Sequence, residues 1–301
     1  MMELLKENKK INRRNSELKK ILITGKNSYI GSNCKKWLEC YQDMYEVEEI
    51  DTKNEEWKKK DYSNYDTILH VAGIAHVSSD PKLEDLYYKV NRDLAIEIAK
   101  KAKKDGVKQF IFMSSMIIYG KDEPIGREKI ITSETVPNSE DFYGKSKLDA
   151  DMAIQELEDE KFKVVMVRTP MVYGPGCKGN FPKLKKLAKM PIFPNIENNR
   201  SMIYIDNLCE FFKQVIDNQD RGIFYPQNRD YISTKQIIKI MAETMNKKIH
   251  FTKIFNPIIK VLSKKMPIIN KVFGSKVYSK EISGDFSYIV VENDESIRRS
   301  V

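Results

Sequence analysis

The most informative segment of the chain reads Ile21-Leu22-Ile23-Thr24-Gly25-Lys26-Asn27-Ser28-Tyr29-Ile30-Gly31. A short apolar run ends at Gly25, and a helical pattern follows from about Ile30. Gly25 permits a tight turn, Gly31 lets the helix pack closely on the strand, and amides at the helix N-terminus can hold a diphosphate. The segment therefore predicts a dinucleotide-binding turn. Ser28 stands where a third glycine is usual, so we expect its side chain to crowd the phosphate.

Short β-rich runs alternate with amphipathic helical stretches beyond this segment. Predicted strands cover 21–24, 47–50, 67–71, 109–113 and 164–167, and predicted helices cover 30–42, 93–104 and 143–158. This alternation predicts an α/β fold with a parallel sheet covered on both faces. Right-handed crossovers make it a doubly wound, Rossmann-type sheet, whose ligand crevice lies at the carboxyl ends of the strands.

The character of the chain changes after about residue 175, where Pro and Asn become frequent and helices shorten. We predict a basic N-terminal extension over 1–20, a dinucleotide-binding domain over 21–175 and a smaller, mixed substrate-binding region over 176–301. Parts of the last region are expected to return to the first domain. Residues 253–283 alternate between apolar stretches and lysines, which favours a capping helical subdomain or a segment that lines the substrate pocket. An amphipathic membrane-surface helix is the less favoured alternative.

Composition excludes several classes of protein. A 41% hydrophobic fraction can supply a core, and no apolar run reaches the roughly 18 residues of a membrane helix. The net charge is +9, but the first 20 residues hold seven basic and three acidic residues. Elsewhere the charges are interleaved, so we expect no nucleic-acid partner.

Cysteine and histidine usage argues against a metal site. Three His are scattered, and no metal-ligand spacing is formed by Cys34, Cys40, Cys177 and Cys209. His70 falls inside a predicted strand and is interpreted as a core histidine. Reduced thiols are typical of a cytoplasmic protein, which is the location we predict.

Asp51 follows the second predicted strand, 26 residues after Gly25. A carboxylate at that place can accept hydrogen bonds from an adenosine ribose and repels a 2′-phosphate. The sequence therefore favours NAD over NADP, although Lys53 weakens that preference. A plain loop carboxylate is the alternative interpretation.

Tyr143 and Lys147 are four residues apart in a predicted helix, which places both side chains on one face. A nearby ammonium favours a phenolate, so we expect Lys147 to lower the pKa of Tyr143 for proton transfer. Ser115 ends the fourth strand and can hydrogen-bond a substrate oxygen, and Ser114 is the alternative for that role.

A second Tyr-x-x-x-Lys pair occurs at Tyr231 and Lys235. It lies outside the alternating half of the chain, and Ser233 or Thr234 resembles a helix N-cap. We therefore interpret Tyr231 as a structural residue.

Taken in order, these motifs resemble the extended short-chain dehydrogenase/reductase family, in its NAD-dependent epimerase/dehydratase branch. The resemblance runs over roughly residues 21 to 300. It is carried further by Asp66-Thr-Ile-Leu-His-Val-Ala-Gly73, Ser114-Ser115-x-x-Ile118-Tyr119-Gly120, Arg168-x-x-x-Val172-Tyr173-Gly174-Pro175 and Arg200-Ser-Met-Ile-Tyr-Ile-Asp206.

The resemblance implies a nicotinamide dinucleotide, a nucleotide-sugar substrate and a homodimer. It implies that Ser115, Tyr143 and Lys147 form the catalytic triad. Expected cofactor contacts are Gly25, Ser28, Tyr29, Ile30, Gly31, Asp51, Asp61 (to the adenine), Ala72, Gly73, Asn91, Tyr143, Lys147 and Pro170. Expected substrate contacts are His76 after the third strand, Asn180 in the basic loop 178–186, and Arg200. That basic loop is either a clamp on the substrate diphosphate or a solvated helix face.

The two residues after Ser115 indicate which reaction of the family this chain catalyses. Sugar 4,6-dehydratases of the family carry an Asp-Glu pair after the active-site hydroxyl residue, whereas this chain has Met116-Ile117. We therefore predict an NAD-dependent 4-epimerase of UDP-hexoses or UDP-N-acetylhexosamines, with a role in cell-surface polysaccharide biosynthesis. The alternative is an NAD(P)H-dependent reductase of 4-keto nucleotide sugars. A non-catalytic relative is disfavoured because the triad is complete.

Overall fold

A computed structural model of the protein describes residues 18–75 and 80–301. Its strands are β1 Lys19–Thr24, β2 Tyr45–Ile50, β3 Thr67–His70, β4 Gln109–Ser115, β5 Glu128–Ile131, β6 Lys163–Thr169, β7 Met171–Tyr173, β8 Ile192–Pro194, β9 Met202–Tyr204, β10 Gly222–Phe224, β11 His250–Thr252 and β12 Ser275–Tyr278. Its α-helices are α1 Tyr29–Glu39, α2 Glu56–Lys59, α3 Glu84–Tyr87, α4 Leu94–Lys104, α5 Phe142–Gln155, α6 Phe181–Leu187, α7 Ile205–Asn218, α8 Thr234–Thr244, α9 Asn256–Ser263, α10 Pro267–Phe273 and α11 Asn293–Arg299.

The central sheet has six parallel strands in the order β2-β1-β3-β4-β6-β10. Strands β2 and β3 flank β1 on opposite sides, so the direction of winding reverses at β1. Such a reversal creates a crevice outside the carboxyl ends of the strands, where ligands bind. The predicted α/β, doubly wound parallel sheet is confirmed. Strand β1 begins at Lys19, so the last two residues assigned to the N-terminal extension belong to the sheet.

The alternation of side chains along β1 supplies both faces of the core. Ile21 and Ile23 pack in the cluster that contains α1 and α7, whereas Leu22 packs in the cluster that contains α4 and α5. Since strand side chains point alternately to opposite faces, helices must cover both. Between α1 and α7, the thiols of Cys34 and Cys209 lie 3.4 Å apart.

Several parts of region 176–301 return to the first half of the chain. Helix α7 packs on α1, β10 pairs with β6, and β12 pairs with β5. The boundary at residue 175 therefore divides the sequence into two regions, but elements of the second region pack against the first. Within residues 18–75 and 80–301, no helix has both the length and the apolar character to cross a membrane.

Candidate active site

The carboxyl ends of the central strands form one edge, and most of the predicted site residues follow it. The sheet register places Thr24 beside Ile50 and His70, and Ser115 beside Thr169. Residues that come directly after these strand ends are therefore brought close together. Pro170, a predicted cofactor contact, is one of them and is buried.

Two glycines shape the turn after β1. Gly25 has φ +97°, and a Cβ there would lie 3.0 Å from the Cα and N of Ala72. A Cβ on Gly31 would lie 3.2 Å from methyl groups of Ile23 and Val71. Both positions need glycine because backbone or core atoms already occupy that space. The turn thus approaches the end of β3, at the reversal of strand order.

Ser28 is the N-cap of α1. Its hydroxyl accepts a hydrogen bond from the Gly31 amide at 3.1 Å, which is the usual capping geometry. The capping bond directs the Ser28 hydroxyl toward the Gly31 amide in the first turn of the helix, so this side chain lies at the helix end predicted to hold the diphosphate. In the described chain, the amides of Tyr29 and Ile30 have no hydrogen-bond partner. They are the donors that a helix N-terminus offers to a diphosphate.

The two acids predicted to bind the adenosine lie in different places. Asp51 directly follows β2, and the carbonyl of the preceding Ile50 accepts bonds from Gly25 and Lys26 at 3.1 Å. The Asp51 Oδ1 atom accepts from the Lys53 amide at 2.9 Å. This position, beside the glycine turn, suits a ribose-binding carboxylate.

Asp61 lies away from this group. Its two carboxylate oxygens accept from the amide and hydroxyl of Ser63, both at 2.9 Å. The neighbouring Tyr62 amide donates to Asp105, which follows the end of α4 and precedes β4. That contact belongs to the opposite edge of the sheet. The structure therefore does not bring Asp61 to the predicted adenine site.

Asn91 holds the loop after β3 rather than facing the crevice. It is fully buried in a π-helical segment, Tyr88–Asp93, and exchanges hydrogen bonds with the Ile74 backbone at 2.9 and 3.1 Å. Gly73 lies between the side chains of Asn91 and Lys147. A Cβ at residue 73 would be 3.0 Å from Asn91 Oδ1 and 3.3 Å from Lys147 Nζ. Asn91 is therefore a positioning residue for the Gly73 loop. His76, a predicted substrate contact, lies outside the described residues.

Ser115 and Tyr143 meet at the end of β4. The Ser115 side chain accepts from the Ile117 amide at 3.3 Å, and it lies close enough to Tyr143 to lower the pKa of that phenol. Ser114 is buried, with 2% of its surface exposed. Tyr143 is the second residue of helix α5, which begins at Phe142. These observations favour Ser115 over Ser114 as the residue that can touch a substrate.

Lys147 lies one turn beyond Tyr143 and is 7% exposed. Its ammonium donates to the Met113 carbonyl at 3.0 Å. Burial lowers the pKa of Lys147 to about 8, while the charge of Asp151 raises it. Burial raises the pKa of Tyr143 to about 12, and the hydrogen bond with Ser115 lowers it. The expected lowering of the phenol pKa by Lys147 is therefore not seen, and burial has the largest effect on that pKa.

Sequence reasoning missed Asp151, which continues the same helix face. It is fully buried, and its carboxylate pairs with Arg168 through contacts of 2.7 and 3.2 Å. Arg168 also donates to the Tyr119 hydroxyl at 2.7 Å. The spacing Tyr143, Lys147, Asp151 was the available signal, since residues at i, i+4 and i+8 share a helix face.

A small cavity lies between the start of β7 and helix α6. Its lining includes Met171, Leu184, Asn180, Arg200, Lys183 and Lys271. Two predicted substrate residues, Asn180 and Arg200, are thus brought together. One lysine of the basic loop, Lys183, also lines the cavity, so part of that loop faces it.

Arg200 is only partly neutralised. One guanidinium nitrogen donates to Asp122 at 3.1 Å and to the Asn270 carbonyl at 3.0 Å. Its Nε is buried and has no partner among residues 18–75 and 80–301. A guanidinium with an unused donor beside two lysines suits an anionic group such as a diphosphate.

His70 and Tyr231 have the structural roles that were predicted for them. His70 is fully buried between Phe110 and Phe112, and its ring centroid lies 5.9 Å from the centroid of each phenyl ring. Burial lowers the pKa of His70 to about 3. The Tyr231 hydroxyl donates to the Tyr278 carbonyl at 2.7 Å, and Ser233 is the N-cap of α8.

The doubly wound sheet, the glycine turn at its switch point and the Ser-Tyr-Lys set define a dinucleotide-dependent enzyme of the short-chain dehydrogenase/reductase type. Residues 21–231 match the NAD dependent epimerase/dehydratase family. The chain belongs to this family, as its motifs had indicated.

Two proteins similar to this chain are named as 4-epimerases. A UDP-glucose 4-epimerase of Vibrio cholerae is 29% identical over 255 residues, covering 76% of this chain and 76% of that protein. An N-acetyl-alpha-D-glucosaminyl-diphospho-ditrans,octacis-undecaprenol 4-epimerase of Escherichia coli O157:H7 is 25% identical, covering 75% and 69%.

Solved structures share the fold. A UDP-glucuronic acid 4-epimerase from Bacillus cereus in complex with NAD aligns with a TM-score of 0.72 and 17% identity, covering 93% of this chain and 94% of that one. A dTDP-4-dehydrorhamnose reductase from Clostridium acetobutylicum aligns with a TM-score of 0.62 and 21% identity, covering 77% and 82%.

Proposed function

We propose that the protein is an NAD-dependent 4-epimerase of UDP-hexoses or UDP-N-acetylhexosamines. The observation that carries the proposal is the grouping of Ser115, Tyr143 and Lys147 around the end of β4. A separate cavity lined by Arg200, Lys183 and Lys271 supplies cations for an anionic part of the substrate. Such a site can move a proton at a sugar hydroxyl while cations hold the diphosphate. The sequence relationship to 4-epimerases supports the choice of reaction.

The residues at the switch point fit NAD. Gly25 and Gly31 leave room for close approach, the amides of Tyr29 and Ile30 suit the diphosphate, and Asp51 suits the adenosine ribose. The dinucleotide supplies a hydride acceptor and a positive charge when it is bound. A carboxylate at residue 51 disfavours the 2′-phosphate of NADP.

Tyr143 is the proton-transfer group of the proposed reaction. As a phenolate it takes the proton of the sugar 4-hydroxyl, and as a phenol it returns that proton when the keto-sugar is reduced from its other face. Ser115 hydrogen-bonds the same sugar oxygen, and Lys147 holds a positive charge nearby. Burial opposes the phenolate, so Ser115 and the surrounding positive charge must offset the cost.

The proposal includes a homodimer in the cytoplasm. The family resemblance supports the dimer. Free thiols at the four cysteines support a reducing compartment, since such compartments keep thiols reduced.

Incubation with a panel of UDP-sugars, followed by NMR of the products, tests the proposal. We expect interconversion of C4 epimers without net consumption of a reduced nicotinamide. Consumption of NADH or NADPH in proportion to a 4-keto-sugar would instead establish the reductase. Absence of both reactions would refute the epimerase assignment.

Asp51→Ala tests cofactor choice. If Asp51 accepts the ribose hydroxyls, its loss should weaken NAD binding by about 1.5–3 kcal/mol, the scale of hydrogen bonds to a charged group. The same change should strengthen NADP binding, because a carboxylate facing the 2′-phosphate is removed. Titration of the parent and variant with both dinucleotides measures this. Equal affinities in both proteins would make Asp51 an ordinary loop carboxylate.

The lowered pKa of Lys147 predicts a pH-dependent stability. In the folded protein Lys147 loses its proton near pH 8, whereas its ordinary pKa is 10.5. Between these values the unfolded state binds more protons, so stability rises with pH. From pH 8 to 10 the unfolding free energy of the parent should rise by about 2 kcal/mol relative to Lys147→Met. Denaturant unfolding at several pH values measures the difference, and parallel curves would contradict it.

A further inference from the structure

Residues 244–280 carry charge of one sign only, with nine lysines and no Asp or Glu. Within this segment α9 turns an apolar face outward: Ile258 is 62% exposed, Val261 63% and Leu262 39%. Their spacing of three and four residues places them side by side on the helix. In α9 only Ser263 is fully buried. The helix therefore does not use this face to cover the core.

Neighbouring residues enlarge this face. Ile254 is 78% exposed, Phe255 44% and Met266 44%. We call the following set the apolar patch: Ile254, Phe255, Ile258, Val261, Leu262 and Met266. Four exposed lysines adjoin it, here called the lysine ring: Lys253, Lys260, Lys264 and Lys265.

The chemistry of this surface restricts what can cover it. Clustered exposed apolar side chains mark an interaction site. A second copy of the chain would bring two lysine rings together, and like charges placed against each other are unfavourable. An anionic bilayer complements both features, because apolar side chains enter the acyl boundary while lysines remain among the headgroups.

The patch is also connected to the substrate cavity. Asn270, in α10, donates to the Ser263 carbonyl at the end of α9 at 3.0 Å. The carbonyl of the same Asn270 accepts from Arg200 at 3.0 Å. The next residue, Lys271, lines the cavity together with Arg200. The cationic wall of the cavity and the apolar patch are therefore parts of one hydrogen-bonded unit.

We propose that the apolar patch docks on an anionic bilayer and that the enzyme accepts a sugar whose diphosphate is carried by a membrane lipid. Docking brings the cationic wall of the cavity to the headgroup layer, where the diphosphate of such a substrate lies. The lipid then remains in the bilayer while the sugar reaches Tyr143. This inference rests on the proposed epimerase activity for its substrate, but not for its membrane contact.

Sedimentation with vesicles tests the docking. We expect the protein to bind phosphatidylcholine vesicles containing phosphatidylglycerol at least about tenfold more tightly than phosphatidylcholine alone, because each lysine near the surface contributes about fivefold. Ile258→Asp with Val261→Asp should weaken binding by about tenfold or more. Val136→Asp is the matched control, since Val136 is 79% exposed and lies outside the patch. Absence of vesicle binding by the parent overturns the proposal. The proposal is also overturned if sedimentation velocity shows that two copies of the chain associate through the apolar patch.

Turnover tests the substrate class. The parent should epimerise a polyprenyl-diphosphate sugar in anionic vesicles, and the Ile258→Asp/Val261→Asp variant should do so at least about tenfold more slowly. Both proteins should bind NAD equally, which shows that the variant is folded. Equal turnover by both, or none by a vesicle-bound parent that converts UDP-sugars, overturns the substrate assignment. Failure of the proposed function gives a different result: vesicle binding persists while neither kind of sugar diphosphate is converted.

Discussion

A Tyr143→Phe variant is expected to lose turnover by about 10²–10⁴-fold, the usual effect of removing a general acid–base group. The ring should stay in place, because it packs against Tyr87 with centroids 5.6 Å apart. Dinucleotide affinity should therefore be nearly unchanged. Product formation by NMR and a fluorescence titration with NAD measure the two properties separately.

The second Tyr-x-x-x-Lys pair provides a matched control. Tyr231→Phe removes the hydroxyl that donates to the Tyr278 carbonyl, so it should cost about 1 kcal/mol of stability. Turnover should remain, because Tyr231 belongs to no part of the site. Full activity of Tyr143→Phe, or equal loss in both variants, would show that Tyr143 does not transfer the proton.

The sequence predicted those features that depend on local pattern. A period of two along β1 required two covering layers, and the positive φ of Gly25 required glycine at the turn. Positions that directly follow strand ends, such as Asp51 and Ser115, could be placed because parallel strands share one carboxyl edge. These are consequences of geometry that any sequence with the pattern must obey.

Features that depend on contacts between distant residues could not be predicted. Arg200 was expected to face substrate, but whether Asp122 or Asn270 would also bind it depends on how three separate segments pack. Asp61 was assigned to the adenine by resemblance, whereas the bond from the neighbouring Tyr62 amide to Asp105 holds this segment at the opposite edge of the sheet. A contact between residues 43 positions apart has no signature in strand or helix periodicity.

Replacing Asp151 by Ala is expected to lower the unfolding free energy by about 3–5 kcal/mol, because it leaves a buried guanidinium without its counter-charge. The carboxylate is fully buried and holds Arg168 through two contacts. Denaturant unfolding measures the loss. Asp149→Ala is the matched control on the same helix: its ion pair with Arg92 is 3.8 Å long and half exposed, so its loss should cost less than about 1 kcal/mol.

Two further variants separate the charge of Asp151 from its shape. Asp151→Asn keeps the size but removes the charge that raises the pKa of Lys147, so that pKa should fall further below about 8. Asp151→Leu combined with Arg168→Met removes both charges, and should recover most of the lost stability because no buried ion remains unpaired. If the double variant is as unstable as Asp151→Ala, the penalty comes from packing and not from charge. The pair would then stabilise helix α5 through shape alone. Separately, an unchanged Lys147 pKa in Asp151→Asn would show that the Asp151 charge does not act on Lys147.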